Sequence, residues 1–471
     1  MLEGRISNAP HVPRGRSLLD AHDMMRNPVA VFEKYRARLG PTFTLHFGGV
    51  KASLVSTDPV ILEHVLRGNR DNYEKSYIQV ERMVEFQGQG VVNIHGDAWL
   101  RQRKLLAQGF KPAYLDKLLP MQQDVLQGLM NDFDRNVRQG PVDVRQQMLR
   151  FTLRLVGKSL FGRSIRHEEL EQIADIIAAI EAFAHRQITQ PWKIPWFRFS
   201  GQSAKHQQLR RDGDAIALRH IRARIKQGLS GNDILRILLE TPYHDTGKPM
   251  DEPLVLIESL QLLVAGNQTS SNALTWIFYL LARHPRYIRE IRDEVEAVIG
   301  ENAMDYRNLH QLEGTVRVID EAMRLFPPCW MIDRIALKDD EIGGVHIPAG
   351  AMVIPYIYGA HRNPAQWQDV ETFDPRRFEP SRSKERHPFA YIPFGGGPRL
   401  CLGANLAVMQ MLVIVVAFVR KYDFALATNE PVAIQPMMLL QPRGAVTMTF
   451  QPLKHAKDSS ASATPSTASM E

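Results

Sequence analysis

Only two cysteines, Cys329 and Cys401, occur in 471 residues. A disulfide framework and a four-cysteine metal site are both excluded, so the fold must rest on its apolar core in a reducing compartment, and each sulfur acts singly. The N-terminal stretch MLEGRISNAPHVPRGR has no apolar run of the kind a signal peptide or anchor needs, and a cytoplasmic protein without a membrane anchor is expected. Two later stretches, 254–281 and 402–419, are strongly apolar, but Glu258, Gln261, Asn267, Gln268, Asn405 and Gln410 interrupt them, which suits buried helices. No internal repeat of solenoid or propeller period is present. The net charge of +7 comes without a basic run or recognition motif, so nucleic-acid binding is not expected.

What is present is the composition of a globular chain, 44% hydrophobic and 23% charged. Residues 18–40 are patterned as an amphipathic helix, and 42–47 and 51–56 alternate around Gly48-Gly49 as a β-hairpin does. Asp58 before Pro59 caps a short helix to Leu66. Periodicity is lost over 73–93, which reads as a long loop, and helical patterns then dominate to about Ile299. They are broken at Gly140-Pro141, at 190–195 and at 242–248. Beyond Pro327-Pro328 short extended segments and Pro/Gly/Arg-rich irregular chain follow, and then one apolar helix to about Arg420. The fold class is mainly α with a minor β part. The polar, low-complexity end DSSASATPSTASME is expected to be disordered.

The chemistry concentrates in Phe394-Gly395-Gly396-Gly397-Pro398-Arg399-Leu400-Cys401-Leu402-Gly403, just before that last helix. Glycines around a lone cysteine let backbone N–H groups point at the sulfur, and the helix N-terminus adds positive potential; both favour thiolate. A buried thiolate without further ligands suits one axial position on haem iron. Neither phosphate-loop pattern fits the segment. The segment resembles the haem-binding loop of the cytochrome P450 family, Phe-x-x-Gly-x-Arg-x-Cys-x-Gly, at every fixed position. Further matches follow in the family's order. Glu321 and Arg324 fit its Glu-x-x-Arg pair, one helical turn apart, and Arg377, in Phe373-Asp374-Pro375-Arg376-Arg377-Phe378, would join them in a buried triad.

The resemblance assigns Trp99, Arg103, Arg399 and Arg334 to the haem propionates, with Phe394 and Gly403 flanking Cys401, the iron ligand. In Ala265-Gly266-Asn267-Gln268-Thr269 it makes Thr269 the hydroxyl for oxygen activation, and has glycine and hydroxyl open the helix ladder. Gln268 replaces the family's acid; an amide holds water but does not exchange a proton near neutrality. Proton delivery through Thr269 and water, organised by Gln268, is the expectation. The implied architecture is one haem domain over 18–453, with haem b between a long central helix and the Cys-loop helix, an N-terminal extension over 1–17 and a loose tail over 454–471.

The implied activity is insertion of one oxygen atom from O2 into a hydrophobic substrate, by hydroxylation, epoxidation or dealkylation of a fatty-acid-like, terpenoid or aromatic molecule. Its walls would come from 77–93, 183–199, 263–265, 328–331 with Cys329, and 437–440. Electrons would come from a ferredoxin or flavodoxin-type donor with its NAD(P)H reductase, steered by Arg101, Lys104, Lys111 and Arg386 to a monomeric enzyme. A peroxide-using or rearranging haem-thiolate enzyme, and a non-catalytic haem sensor or carrier, are the alternatives.

Overall fold

The computed structural model describes residues 6–47, 51–76, 80, 84–228 and 231–453. The expected disordered tail and the hairpin turn at Gly48-Gly49 lie outside them. Strands β1 (Thr42–Phe47), β2 (Lys51–Ser56), β3 (Tyr73–Glu74), β4 (Arg334–Ala336) and β5 (Met352–Pro355) form one sheet in the order β1-β2-β5-β4-β3. The hairpin pairs Thr42 with Ser56 through Phe47 with Lys51. β2 runs parallel to β5, so the chain from the far end returns to the front of the molecule. The 18–40 stretch is three helices, Arg14–Leu19, Ala21–Arg26 and Pro28–Leu39. The last break comes at Asn27, whose side chain accepts the Ala30 N–H (3.1 Å) just before a proline.

Residues 6–17 are not an extension outside the domain. Ile6 and Val12 are buried in the core beside the sheet, and bridges join Ser7 to His346 and His11 to Thr44. The expected long loop over 73–93 contains β3 and a short helix, Val84–Gln87. The break over 190–195 is a 3₁₀ turn and a short helix, Ile194–Phe199.

Among the described residues nine long helices carry the rest: α1 (Gly96–Leu106), α2 (Pro112–Val137), α3 (Val144–Phe161), α4 (His167–Thr189), α5 (Gln202–Gln227), α6 (Glu252–Arg283), α7 (Pro285–Val298), α8 (Glu313–Leu325) and α9 (Ala404–Lys421). The long central helix α6 starts at Asp251, which accepts the Leu254 N–H (3.1 Å), and stops at His284, before Pro285. It packs along α3 and also touches α5, α7, α8 and α9. Among the described residues α9 is the one helix long and apolar enough to cross a membrane, yet Leu412 to Val416 are fully buried in the main core. Aromatic rings lock this centre: Phe418 lies 4.9 Å from both Phe133 and Phe278, edge to face.

Candidate active site

The glycine-rich loop is a tight turn on which the Cys401 sulfur sits. The Cys401 N–H donates to the Phe394 carbonyl (2.9 Å) and the Leu400 N–H to the Gly397 carbonyl (3.0 Å), which closes the loop just before α9. Gly397 has φ +66°, and a Cβ there would lie 1.9 Å from the Leu66 carbonyl oxygen. Only glycine tolerates both conditions. We expect Gly397→Ala to destabilise the protein by about 2–5 kcal/mol and to displace the loop, read as a lower unfolding midpoint together with lower haem content. Cys401 carries exposed surface although protein surrounds its sulfur, so the thiol faces an internal space. The thiolate expected from the loop amides is not favoured before a metal binds. Burial pushes the thiol up, and the Gly403 N–H and the Arg103 charge offset this only partly.

Behind the loop stands the triad. Arg324 clasps Glu321 in two bonds (2.7 and 2.9 Å), and both are 0% exposed. Arg377 Nε donates to the same carboxylate at 3.3 Å, and the Asp374 N–H at 2.9 Å. The remaining guanidinium donors reach carbonyls of His361, Val370, Asp369 and Thr372. The His361 ring then accepts the Ile392 N–H (3.0 Å), two residues before Phe394, so the triad is wired to the loop. Arg386, expected on a basic surface, donates to the Arg377 carbonyl (2.7 Å) and stacks on Trp367 at 3.8 Å. Arg101 is likewise engaged, by Asp245 (3.3 Å) and the Tyr243 ring. Lys104 and Lys111 are exposed.

Four cations gather near Cys401. Arg399 lies 4.2 Å over the Trp99 ring and donates to the Ile94 carbonyl (3.1 Å); Arg103, 5.8 Å from the same ring, donates to the Leu400 carbonyl (2.6 Å). Arg334, 6% exposed, donates to the carbonyl of Asp333 (2.8 Å). Lys75, which the sequence did not single out, donates to the Val92 carbonyl. Burial, Arg334 and Arg399 together push Lys75 down to about 7, and burial, Arg334 and Arg103 bring Arg399 down to about 10. These cations repel one another and are bound mainly to carbonyls, a constellation that calls for anionic groups. Cys329 lies close enough to feel Cys401 and Lys75; burial pushes its thiol up to about 11.

On α6 the predicted residues divide among faces. Ala265 carries exposed surface, and the Thr269 hydroxyl donates to its carbonyl (2.6 Å) within a helix that stays continuous. Gly266 faces elsewhere: a Cβ there would meet Val156 of α3 at 3.1 Å, so this glycine permits close helix packing and does not open room beside Thr269. Asn267 also faces α3, accepting the Thr152 hydroxyl (2.7 Å). Gln268 Nε2 donates to a carboxylate oxygen of Glu181 on α4. Glu181, absent from the sequence expectations, is pushed up to about 7 by burial, an effect the Gln268 contact partly offsets.

Glu181 lines a cavity of about 50 Å³ between α4, α5 and α6, together with Ile173, Ile177, Ile180, Leu260 and Val264. Of this lining, Val264 and Gln87 fall in the expected wall segments, and the α4 part comes from 173–181. Phe183 is fully buried and stacked on His206, whereas Trp192 (64% exposed) and Phe199 (86%) point outward. Two of the expected wall segments, 328–331 and 437–440, meet: Trp330 Nε1 donates to the Met437 carbonyl (2.9 Å). Glu258 and Gln261 of α6 hold the 88–93 segment, accepting the Val91 (2.9 Å) and Val92 (3.2 Å) N–H groups.

Among the described residues no group of three or more His, Cys, Asp and Glu side chains could hold a metal. An ion at Cys401 therefore needs further ligands from a prosthetic group. The family model described as Cytochrome P450 matches residues 10–450. The chain is similar to Cytochrome P450 734A5 of Oryza sativa subsp. japonica, 28% identical over 93% of this chain and 84% of that protein. It is also similar to cyclooctatin synthase of Streptomyces melanosporofaciens (28%, over 84% of each) and cytokinin hydroxylase of Arabidopsis thaliana (26%, over 92% and 85%). The crystal structure of the cytochrome P450DA heme domain has the same fold, with a TM-score of 0.85 at 20% identity over 96% of this chain and 99% of that one.

Proposed function

The chain belongs to the cytochrome P450 family, haem-thiolate monooxygenases with haem b as cofactor, and from that premise we propose that it oxidises small apolar molecules with electrons from a separate protein. The residues present fit haem b. A lone cysteine faces an internal space, and nearby cations, one of them buried against a backbone carbonyl, suit a dianionic edge. In this reading Cys401 Sγ would hold the iron of the haem, with Phe394 and Gly403 flanking it in the loop. Arg103, Arg334 and Arg399 hold the propionates, Trp99 keeps two of these guanidinium groups in place by stacking, and Lys75 adds a fourth cation. When bound, haem b supplies the activation of O2 and the oxygen transfer.

The chain's own part is to bind, orient and supply protons. The isoleucine-rich face of α4 with Leu260 and Val264 of α6 is an apolar surface of the kind that favours a hydrophobic substrate. Fatty-acid-like, terpenoid and aromatic molecules all suit such a wall. Thr269 presents a hydroxyl at the open face of α6 beside Ala265. The triad fixes the loop that carries Cys401. Lys104 and Lys111 offer a small exposed basic patch to an acidic ferredoxin or flavodoxin-type donor, and we place the enzyme in the cytoplasm as a monomer.

The cation cluster beside Cys401 is the observation that carries this reading. It is tested with haem-loaded protein, whose reduced carbon monoxide complex should show the red-shifted Soret band of thiolate ligation. A spectral screen of apolar ligands and product formation with a donor protein, its reductase and NAD(P)H follow. Product with peroxide but none with a donor protein would move the protein to the peroxide-using class, and high-spin shifts without turnover to the sensor class.

A further inference from the structure

Gln268 stands beside Thr269 and hydrogen-bonds Glu181 of another helix, so the carboxyl that is missing from α6 is supplied by α4. We propose that Glu181 is the proton-relay residue of this active site, passing protons by way of water held by Gln268 to the Thr269 hydroxyl. This rests on the monooxygenase reading above and deepens it.

The contacts of Gln268 and of Thr269 support the two ends of this path. The Gln268 amide is neither acid nor base near neutrality, but it orients what it touches. Its Nε2–H donates to Glu181, which leaves the amide oxygen to accept from water. The cavity that Glu181 lines, about 50 Å³, has room for a few water molecules. The Thr269 hydroxyl gives its own hydrogen to the Ala265 carbonyl, so its lone pairs face incoming donors. At the cavity rim Arg210 and Asp214 of α5 form a pair at 3.6 Å, about a quarter exposed, which links the cavity to solvent.

The charged groups around Glu181 do not neutralise it. Arg210 is shared between Asp214 and the Glu85 carbonyl, and His185, one turn along α4, is held below its usual value by burial. Glu181 is thus left with an amide partner and a carboxyl poised near neutrality, suited to giving and regaining a proton. The stoichiometry closes. A substrate C–H becomes C–OH, and the second oxygen of O2 leaves as water. Two electrons come from the NAD(P)H-fed donor protein and two protons from solvent; Glu181 releases each proton inward and recovers one from the rim.

The test uses haem-loaded protein and four forms: parent, Glu181→Gln, Gln268→Glu, and the double variant. Infrared difference spectra across about pH 5–9 should show a buried carboxyl band that titrates near neutrality in the parent and is absent in Glu181→Gln, a readout independent of turnover. Product formed per NAD(P)H consumed should fall about tenfold or more in Glu181→Gln, with its dependence on pH flattened. The double variant, which returns an acid to α6, should recover most of the loss. Unchanged coupling and pH profile in Glu181→Gln would overturn the proposal. So would a loss that the double variant does not recover while substrate affinity weakens, since Glu181 would then be a substrate anchor. A parent without the thiolate band would overturn the family reading instead and leave the infrared result standing on its own.

Discussion

Cys401→Ser is expected to leave a folded chain whose reduced carbon monoxide complex has lost the red-shifted Soret band and whose product formation has fallen at least about a thousandfold, on the order of 4 kcal/mol of transition-state stabilisation. Serine keeps the size of the side chain and the backbone bond from Cys401 N–H to the Phe394 carbonyl. The loop should therefore persist, and the loss isolates the sulfur. A thiolate pushes electron density onto the iron in a way that a hydroxyl, whose ionisation is far more costly, does not. Cys329→Ser serves as the matched control, because that thiol is pushed up to about 11 and is not flanked by loop amides. A Cys401→Ser protein that kept the band would show that another group ligates the iron.

The second large effect is on the triad. Glu321→Gln removes the carboxylate that Arg324 grips with two bonds and Arg377 with one, and leaves two guanidinium groups in the interior. Breaking a buried pair from one side costs about 3–5 kcal/mol, because the remaining charge stays buried. Denaturant unfolding of the apoprotein should show that loss, and haem content should fall with it because His361 couples the triad to Ile392 and the loop. Arg324→Lys should come close to it in effect, since an ammonium cannot reproduce a fork that also serves the His361 and Val370 carbonyls. Equal unfolding midpoints for Glu321→Gln and the parent would remove the triad from any role in holding the loop.

Much of this was legible in the sequence for local reasons. Helix boundaries were written in caps and prolines, as at Asp58-Pro59, where the carboxylate accepts the Val60 N–H (2.9 Å), and the hairpin in its alternation. The Cys401 loop could be found because glycine at positive φ leaves a mark in composition. What could not be read depends on which distant residues meet. Lys75 is an ordinary lysine until the fold brings Arg334 and Arg399 to it. Glu181 looks like one polar position on an amphipathic helix until Gln268, 87 residues on, comes to face it. Gly266 matched a motif, but its open side turned out to be filled by α3. The thiolate argument counted the amides and the helix end but not the burial, which only the three-dimensional arrangement supplies. Glu258 and Gln261 did leave a signal: two polar residues three apart on an apolar helix share one face, and that face grips the 88–93 segment.

The contacts that build the site also fix when it can form. Arg103 reaches the Leu400 carbonyl, Arg399 reaches Ile94, and Gly397 sits against Leu66, so each contact joins parts of the chain about 300 residues apart. Closing such loops costs entropy before any contact is gained, and topologies of this kind fold slowly. During synthesis the first four hundred residues must be made before the ligand loop exists at all. Haem capture is accordingly a late event, since a nascent chain stalled before Leu400 lacks both the sulfur and the carbonyl that Arg103 reaches.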